Sequence, residues 1–475
     1  MKRLVVSVLA LLLVLGTTGS AQEDNPRAEF LRIFPLSFPS VLDLAGGGAR
    51  AHGMGKAFLG ISDDISAVTW NPAGLYGQEK EGPSLGLDYS TFTPKAEYSV
   101  FDQSSYRDAA FKNLGMLSFL APLRIKGHPF VGGASYTRAG DEYMSTEVTF
   151  VNPDYYYVDR QGLLQPGLDQ QSAVNDYRSS PDMVNIGFGT RLANTLSFGV
   201  AANVYTGESA ARQHVILIQD GVEPSFLQPV RVTEDLLVLD TGKFSGVNFT
   251  IGLKYSGEKI SAGLVVRTPF SLQVKTNRTV FTTLLFNGDP RFEGTNEIHF
   301  DNIVAKMKMP VQFGGGVAYR PIEGLVVATD VEYRGFSGKM IEIRDSLRII
   351  PGEKDQEFYS EIDPMWRNVL LVRVGAEYLW NTGSKLFPVV PIRAGYGHVQ
   401  IPDPELDMFF EISTASQGNF SAGSGIHWGQ IHLDAAYTYT ALDRHYWYYV
   451  DVQAIPFELS NRSHSFNFTF TGFFD

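Results

Sequence analysis

The chain has 475 residues, 44% of them hydrophobic and 19% charged, and a mean hydropathy of −0.07. It could form several soluble domains or one large barrel, and it is too polar for a bundle of membrane-spanning helices. A formal net charge of −12 argues against a nucleic-acid partner, and the absence of cysteine removes disulfides, thiolate metal sites and a lipoprotein acylation site.

Residues 1–21 read as a secretory signal peptide. Lys2 and Arg3 precede an apolar run from Leu4 to Leu15, and Gly19-Ser20-Ala21 offers a small-residue cleavage site before Gln22. Residues 22–83 contain a glycine run (Gly46-Gly47-Gly48), a small-residue stretch from Ala49 to Gly60 and a turn at Asn71-Pro72. Residues 84–475 then alternate apolar and polar side chains with a period of two. Val247, Phe249, Ile251, Leu253 and Tyr255 are interleaved with Asn248, Thr250, Gly252 and Lys254, and Leu196–Val204, Leu325–Tyr333 and Ile431–Tyr439 repeat the pattern.

The alternation predicts fourteen strands. They lie near 84–92, 113–121, 130–138, 183–192, 196–206, 246–256, 259–277, 310–320, 325–335, 368–380, 389–398, 419–428, 431–441 and 464–473. All but the longest, 259–277, are roughly 9–13 residues, the length that crosses a bilayer at a tilt. Connections alternate between short ones, such as 193–195 and 429–430, and long ones, such as 139–182, 207–245 and 278–309. Short turns on one rim and long connections on the other, with an even strand count, describe an all-β transmembrane antiparallel barrel. A barrel of this size has an open lumen unless something fills it, and residues 22–83 are the available plug.

Three stretches resemble the hatch of the FadL family, the outer-membrane transporters of long-chain fatty acids and other hydrophobic compounds. They are Ala49-Arg50-Ala51-His52-Gly53-Met54-Gly55-Lys56-Ala57-Phe58, Ser62-Asp63-Asp64-Ile65-Ser66-Ala67 and Trp70-Asn71-Pro72-Ala73-Gly74-Leu75. Val266-Arg267-Thr268-Pro269-Phe270 and Leu433-Asp434-Ala435-Ala436-Tyr437 resemble the family's strands. The resemblance implies fourteen strands around an N-terminal hatch of short helices, a location in the bacterial outer membrane, and passive uptake of hydrophobic molecules that leave sideways through a gap in the wall. Its partners would be those molecules, outer-membrane lipid and lipopolysaccharide. A second branch of similar barrels serves protein secretion of the type IX kind as a scaffold or shuttle, with a protein partner at the external loops.

The paired glycines Gly132 and Gly133 on the third strand are the candidate site for a wall kink, or else make room for the plug. Asn71, Pro72, Ala73 and Gly74 would end a hatch helix, with Asp63 and Asp64 as hatch groups able to pair with lumen charges. Arg267, Arg373 and Arg393 are candidates to hold a ligand carboxylate or to anchor the plug. Other signals carry little. Gly53-Met54-Gly55-Lys56 lacks the glycine spacing and hydroxyl of a phosphate loop. Gly82-Pro83-Ser84-Leu85-Gly86 precedes a strand where a serine elbow needs a helix. His427 and His432 on neighbouring strands, and Asp403, Glu405 and Asp407, form no recognised metal spacing. The sequence therefore assigns no catalytic residue, metal or cofactor.

Overall fold

The structure, a computed structural model, describes residues 46–474 apart from short segments at 81, 101–102, 141, 152–154, 160, 224–227, 287–288, 348–355, 407–411 and 451–452. The expected signal peptide and the first part of the expected plug lie outside the described residues. From Ser84 onward the chain forms a closed antiparallel barrel. Its strands are β1 (Ser84–Val100), β2 (Phe111–Ile125), β3 (His128–Arg138, continued by Glu142–Val151), β4 (Asp169–Ala193), β5 (Leu196–Glu223), β6 (Gln228–Ser256) and β7 (Ile260–Arg267, continued by Phe270–Phe286). There follow β8 (Asp289–Met309, continued by Gln312–Tyr319), β9 (Leu325–Arg334, continued by Ile341–Leu347), β10 (Gln356–Ile362, continued by Val369–Asn381), β11 (Val389–Leu406), β12 (Ile412–Trp428), β13 (Ile431–Val450) and β14 (Gln453–Phe473). Each pairs with the next, and β14 returns to β1 from Ser84↔Phe473 to Val100↔Phe457, so the sheet has no free edge along this junction.

Near the short-turn rim the barrel is inside out relative to a soluble one. Leu85, Leu87, Ile186, Phe188, Val247, Phe249, Leu264, Phe313, Val317, Val331, Val374 and Phe468 face outward and are exposed. Their strand neighbours Asp88, Asn185, Asn203, Asn248, Lys254, Asp330, Glu332, Arg373, Glu377 and Thr469 are buried inside. An apolar outer belt over a polar interior is the surface of a membrane-spanning barrel.

Each of the fourteen expected strands overlaps an observed one, with 310–320 shortened to Gln312–Tyr319 and 325–335 and 368–380 displaced by a residue at one end, yet the long connections at 207–245 and 278–309 are mostly strand. β4, β5 and β6 run to 25, 28 and 29 residues, and β5 and β6 stay paired from Tyr255↔Leu196 up to Gln228↔Glu223. The ladder continues above the belt, where lipid no longer imposes an apolar/polar alternation. The expected strand 259–277 is also two segments, divided at Thr268-Pro269.

A clasp ties this external sheet together. The Asp220 carboxylate accepts from Arg231 Nε at 2.7 Å and Nη2 at 3.0 Å, and from the Leu168 amide at 2.9 Å. The Arg231 hydrogen bonds first, then the Leu168 amide, hold the Asp220 carboxyl below the usual carboxylate range. Its contribution is complete above the pKa of an unfolded aspartate and disappears as pH falls through the depressed native value. Arg231 is half exposed, so solvent screening keeps the clasp's contribution small. Amide exchange around 215–240, corrected for intrinsic pH dependence, should rise severalfold below the normal aspartate pKa, and Arg231→Ala should abolish that step.

Residues 46–80 fill the lower lumen with α1 (Ala49–Gly53), α2 (Ala67–Trp70) and a 3-10 helix (Pro72–Lys80). Met54, Phe58, Ile61 and Trp70 pack against Ala318 and Ala328 of the wall, and Ile65, Val68 and Leu75 against Met116, Leu120, Val131 and Ala201. Small wall residues let the hatch lie directly on the strands. A Cβ on Gly263 would stand 2.0 Å from the Leu59 carbonyl oxygen.

Candidate functional site

The lumen has two storeys with different chemistry. In the lower one, charges clamp the hatch. Arg50 of α1 donates Nε at 2.9 Å and Nη2 at 2.8 Å to the two Glu377 oxygens, and Nη1 at 2.6 Å to Asp63. Glu377 also accepts from Arg393 Nε at 2.6 Å, whose Nη1 reaches Asp434 at 2.7 Å. Asp434 in turn contacts His427 Nε2 at 3.1 Å, and the His427 ring stacks on His432 at 3.8 Å. The relay Asp63–Arg50–Glu377–Arg393–Asp434–His427 thus joins the hatch to β10, β11, β13 and β12. Asp330 of β9 accepts the Phe58 and Leu59 amides at 2.6 and 2.8 Å, gripping the hatch by its backbone.

Of the residues expected to end a hatch helix, Asn71 caps α2, and Pro72, Ala73 and Gly74 open the 3-10 helix that follows. Asn71 has an extended backbone, donates Nδ2 to the Leu59 and Leu253 carbonyls at 3.2 Å each, and accepts the Ala73 amide at 3.1 Å. It therefore ties two parts of the hatch to β6. Ala73 offers its carbonyl to Ser197 Oγ at 2.8 Å. At Gly74 a Cβ would fall 1.8 Å from the Ser62 carbonyl oxygen, so only glycine fits there. Asp64 caps the following turn by accepting the Ser66 amide and hydroxyl at 2.8 and 2.6 Å.

The three candidate arginines meet carboxylates. Arg393 serves the relay. Arg267 donates Nη1 to Glu332 at 2.9 Å, Arg334 pairs with the same carboxylate, and Arg373 Nη1 lies 3.9 Å from it. Three guanidinium groups around Glu332 make a cationic shelf at the top of the lower storey. Among the described residues, no His, Asp and Glu group is placed to hold a metal ion, and no helix is long and apolar enough to cross a membrane. None of the Asp403, Glu405 and Asp407 side chains is among those described.

Above the shelf the interior turns apolar. Met183, Tyr205, Phe244, Leu272, Val274, Met307, Met309, Phe336, Ile341, Ile362, Trp366, Val369, Leu371 and Val399 are all buried and form one cluster, joined by Ala139 at the break in β3. Sequence reading missed this apolar cluster. Inward apolar side chains above the hatch fall out of phase with an apolar-out, polar-in rule. Tyr205 stacks on Phe270 at 4.7 Å, and Phe336 meets Trp366 edge to face at 5.7 Å.

The wall changes at the same height. β3 pairs with β2 and β4 through Gly132 and Gly133 without a register shift. Gly133 instead faces the hatch, where a Cβ would meet Leu120 at 2.7 Å and Leu75 at 3.3 Å. The β2–β3 ladder stops at Met116↔Thr137. Higher up, Phe111–Leu114 pairs with β1 and Glu142–Val151 with β4. Between them, among the described residues, is a slot without ladder hydrogen bonds, bridged by Phe111 and Tyr143 rings 5.5 Å apart. β2 is irregular here, its register against β1 slipping at Asp88/Tyr89 opposite Gly115.

A closed fourteen-stranded antiparallel barrel with an apolar belt, an internal N-terminal stopper and a buried apolar cluster above it defines the class: a hatch-bearing membrane β-barrel. No family model and no curated protein matches the chain. Among solved structures it is similar to a Pseudomonas aeruginosa FadL homologue at a TM-score of 0.58 and 13% identity, covering 91% of this chain and 100% of that one. It is similar to the P. putida toluene transporter TodX at 0.58 and 13%, covering 91% and 99%, and to the CymD monoaromatic hydrocarbon channel at 0.53 and 13%, covering 91% and 99%. The chain thus has the FadL-type fold.

Proposed function

We propose that this protein resides in the bacterial outer membrane and lets hydrophobic small molecules diffuse inward, without chemistry or energy coupling. The observation that carries the reading is the buried apolar cluster set above a polar, hatch-filled lower lumen, read here as the lining of a cargo chamber. Apolar cargo gains free energy by leaving water for such a chamber, at roughly 25 cal/mol per Å² of apolar surface covered. A charged hatch below discourages it from continuing down the axis.

In this reading, cargo is gathered by the external sheet, rests among Leu272, Met307, Phe336 and Trp366, and leaves through the β2–β3 slot. Arg267 and Arg373 on the shelf suit the carboxylate of a fatty acid, while Arg393 anchors the hatch with Asn71–Gly74, Asp63 and Asp64. The toluene transporter and the hydrocarbon channel, named for uncharged cargo, support the broader class of hydrophobic compounds. Gly133 enters it as a residue that seats the hatch beside the slot, while a Cβ on Gly132 would meet only Leu123 and Ala121 of β2.

Mass spectrometry of lipophilic molecules retained by the purified barrel, together with uptake by cells with and without it, tests the reading. Met307→Asp should cut uptake at least tenfold while the barrel still migrates as a folded species, because a carboxylate in the chamber must stay hydrated or be neutralised. Unchanged uptake would remove the chamber from the route. The secretion reading is favoured by a small external ribbon, Tyr156–Val158 paired with Leu164–Pro166, which exposes Tyr156, Val158, Leu163 and Leu164. That reading has no use for an interrupted wall or an apolar chamber, and the transport reading uses both.

A further inference from the structure

Four adjacent strands on the wall away from the β2–β3 slot lose their regular structure at one level. β7 is interrupted at Thr268-Pro269, β8 at Pro310-Val311, β9 over 335–340 and β10 over 363–368. Below this line β7–β8, β8–β9 and β9–β10 pair without a register shift. Above it the same strands pair again, from Phe270↔Met309, Met307↔Ile341 and Ile341↔Ile362 upward. The discontinuity reaches the next strand, where the β11–β12 register shifts between Gln400 and Pro404. The result is a seam running around part of the wall, unlike a slot between two strands.

The seam is built into the sequence. Pro269, Pro310 and Pro364 each remove a backbone donor, and Gly335 and Gly338 flank Phe336. Side chains satisfy backbone groups that the ladder would otherwise have used. Asn368 Oδ1 accepts the Ser337 amide at 2.9 Å, Asp363 Oδ1 the Met365 amide at 2.8 Å, and Gln400 Oε1 the Leu370 amide at 2.8 Å. Irregular backbone at membrane depth survives only when it is satisfied in this way or lines a cavity.

Two further observations give the seam a direction. Inward, it is backed by the apolar cluster, with buried Phe336 and Trp366 directly behind it. Outward, it marks the boundary of the belt. Below lie exposed Leu264, Phe313, Val331, Tyr333 and Leu370. Above, Lys308 bridges Glu342 at 2.8 Å and Glu361 at 3.4 Å on the outer face. The lower segments of β7 to β10 are 8 to 13 residues long, which places the seam about 20–30 Å above the short-turn rim for strands rising roughly 3.3 Å per residue at a tilt near 40°. That is the level where acyl chains give way to head groups.

We infer that the β7–β10 seam is a second port of the chamber, through which single-chain amphiphiles and other lipophiles exchange with the outer leaflet while the Phe336–Trp366 pair closes it. The inference rests on the chamber being a cargo site. It adds a route on a wall the β2–β3 slot does not serve. The polar head of an amphiphile would stay at the Lys308 ledge as its tail turned inward past Trp366.

The cysteine-free chain allows a clean test. The double variant Ser337→Cys/Asn368→Cys joins β9 to β10 across the seam when oxidised. Binding of a fluorescent alkyl-naphthalene probe and its rate of transfer from the loaded barrel into surrounding bilayer are measured in proteoliposomes, with folding checked by heat-modifiable migration. The expected result is unchanged binding, transfer slowed at least fivefold on oxidation and restored by reductant. Trp366→Ala, which needs no disulfide, should speed transfer at least threefold. Normal binding with transfer indifferent to both variants would overturn the port and leave the chamber standing. No probe binding by the parent protein would overturn the chamber itself and the port with it.

Discussion

Replacing Arg50 with alanine should release the hatch while leaving the barrel closed. Among the described residues, Arg50 is the side chain that joins Asp63 of the hatch to Glu377 of β10 in the relay, and Glu377 is almost completely buried. Removing Arg50 takes from Asp63 its guanidinium partner at 2.6 Å, so the hatch carboxylate keeps part of its desolvation penalty without its compensation. Arg393 still contacts Glu377 from the barrel side at 2.6 Å, so the wall retains a satisfied pair and the loss falls on the hatch. Single-channel conductance in planar bilayers should rise severalfold, and protease should cut between 46 and 80 in the variant but not in the parent. Conductance equal to the parent would mean that packing alone holds the hatch. Arg50→Lys should recover only part of the effect, since an ammonium cannot span both Glu377 oxygens and Asp63 as the guanidinium does.

Strands and hatch were legible because each obeys a rule local in sequence. Lipid on one face and lumen on the other force Val247–Tyr255 and Ile431–Tyr439 into alternation. The hatch announces itself by small residues and by Asn71-Pro72, where proline starts a new turn and asparagine bonds nearby carbonyls. The route itself was less legible. Above the belt the β5–β6 ribbon keeps its ladder while both its faces carry aliphatic side chains, as in Val215-Ile216-Leu217-Ile218 and Leu236-Leu237-Val238-Leu239, so period two vanishes though the strands continue. Leu272, Val274, Met307 and Met309 point inward on neighbouring strands, but nothing in one strand's pattern says that its apolar face has changed sides. A usable signal was present in the prolines. Pro269, Pro310 and Pro364 each interrupt a segment read as strand or lie beside one, and proline within a central strand marks lost pairing. Charged lumen residues could be named from phase alone, whereas Arg50 meeting Glu377 across 327 positions in sequence required the closed cylinder.

Substituting the inner-wall glycines with alanine should expel the hatch by steric force, an independent check on the Arg50 result. Gly375 of β10 and Gly395 of β11 are opposite each other in the ladder. A Cβ on Gly375 would stand 2.2 Å from the Met54 carbonyl oxygen, and one on Gly395 2.1 Å from the Gly55 amide nitrogen. Both obstacles are backbone, which cannot swing aside as a side chain would. Overpacking typically costs about 1–3 kcal/mol per site, and two adjacent clashes against a fixed backbone should exceed that. The strands themselves should gain slightly, since glycine inside a strand is costly in entropy by roughly 0.5–1 kcal/mol relative to alanine. Gly375→Ala/Gly395→Ala is therefore expected to keep or raise the unfolding temperature of the barrel while exposing residues 46–80 to protease and increasing conductance. If conductance and cleavage stay at parent levels, Met54-Gly55 does not rest on the wall as described. If the barrel fails to assemble, the hatch is required for closure. Combined with Arg50→Ala, the double glycine variant should add little further conductance, because a hatch already displaced by steric force no longer depends on its ion pair.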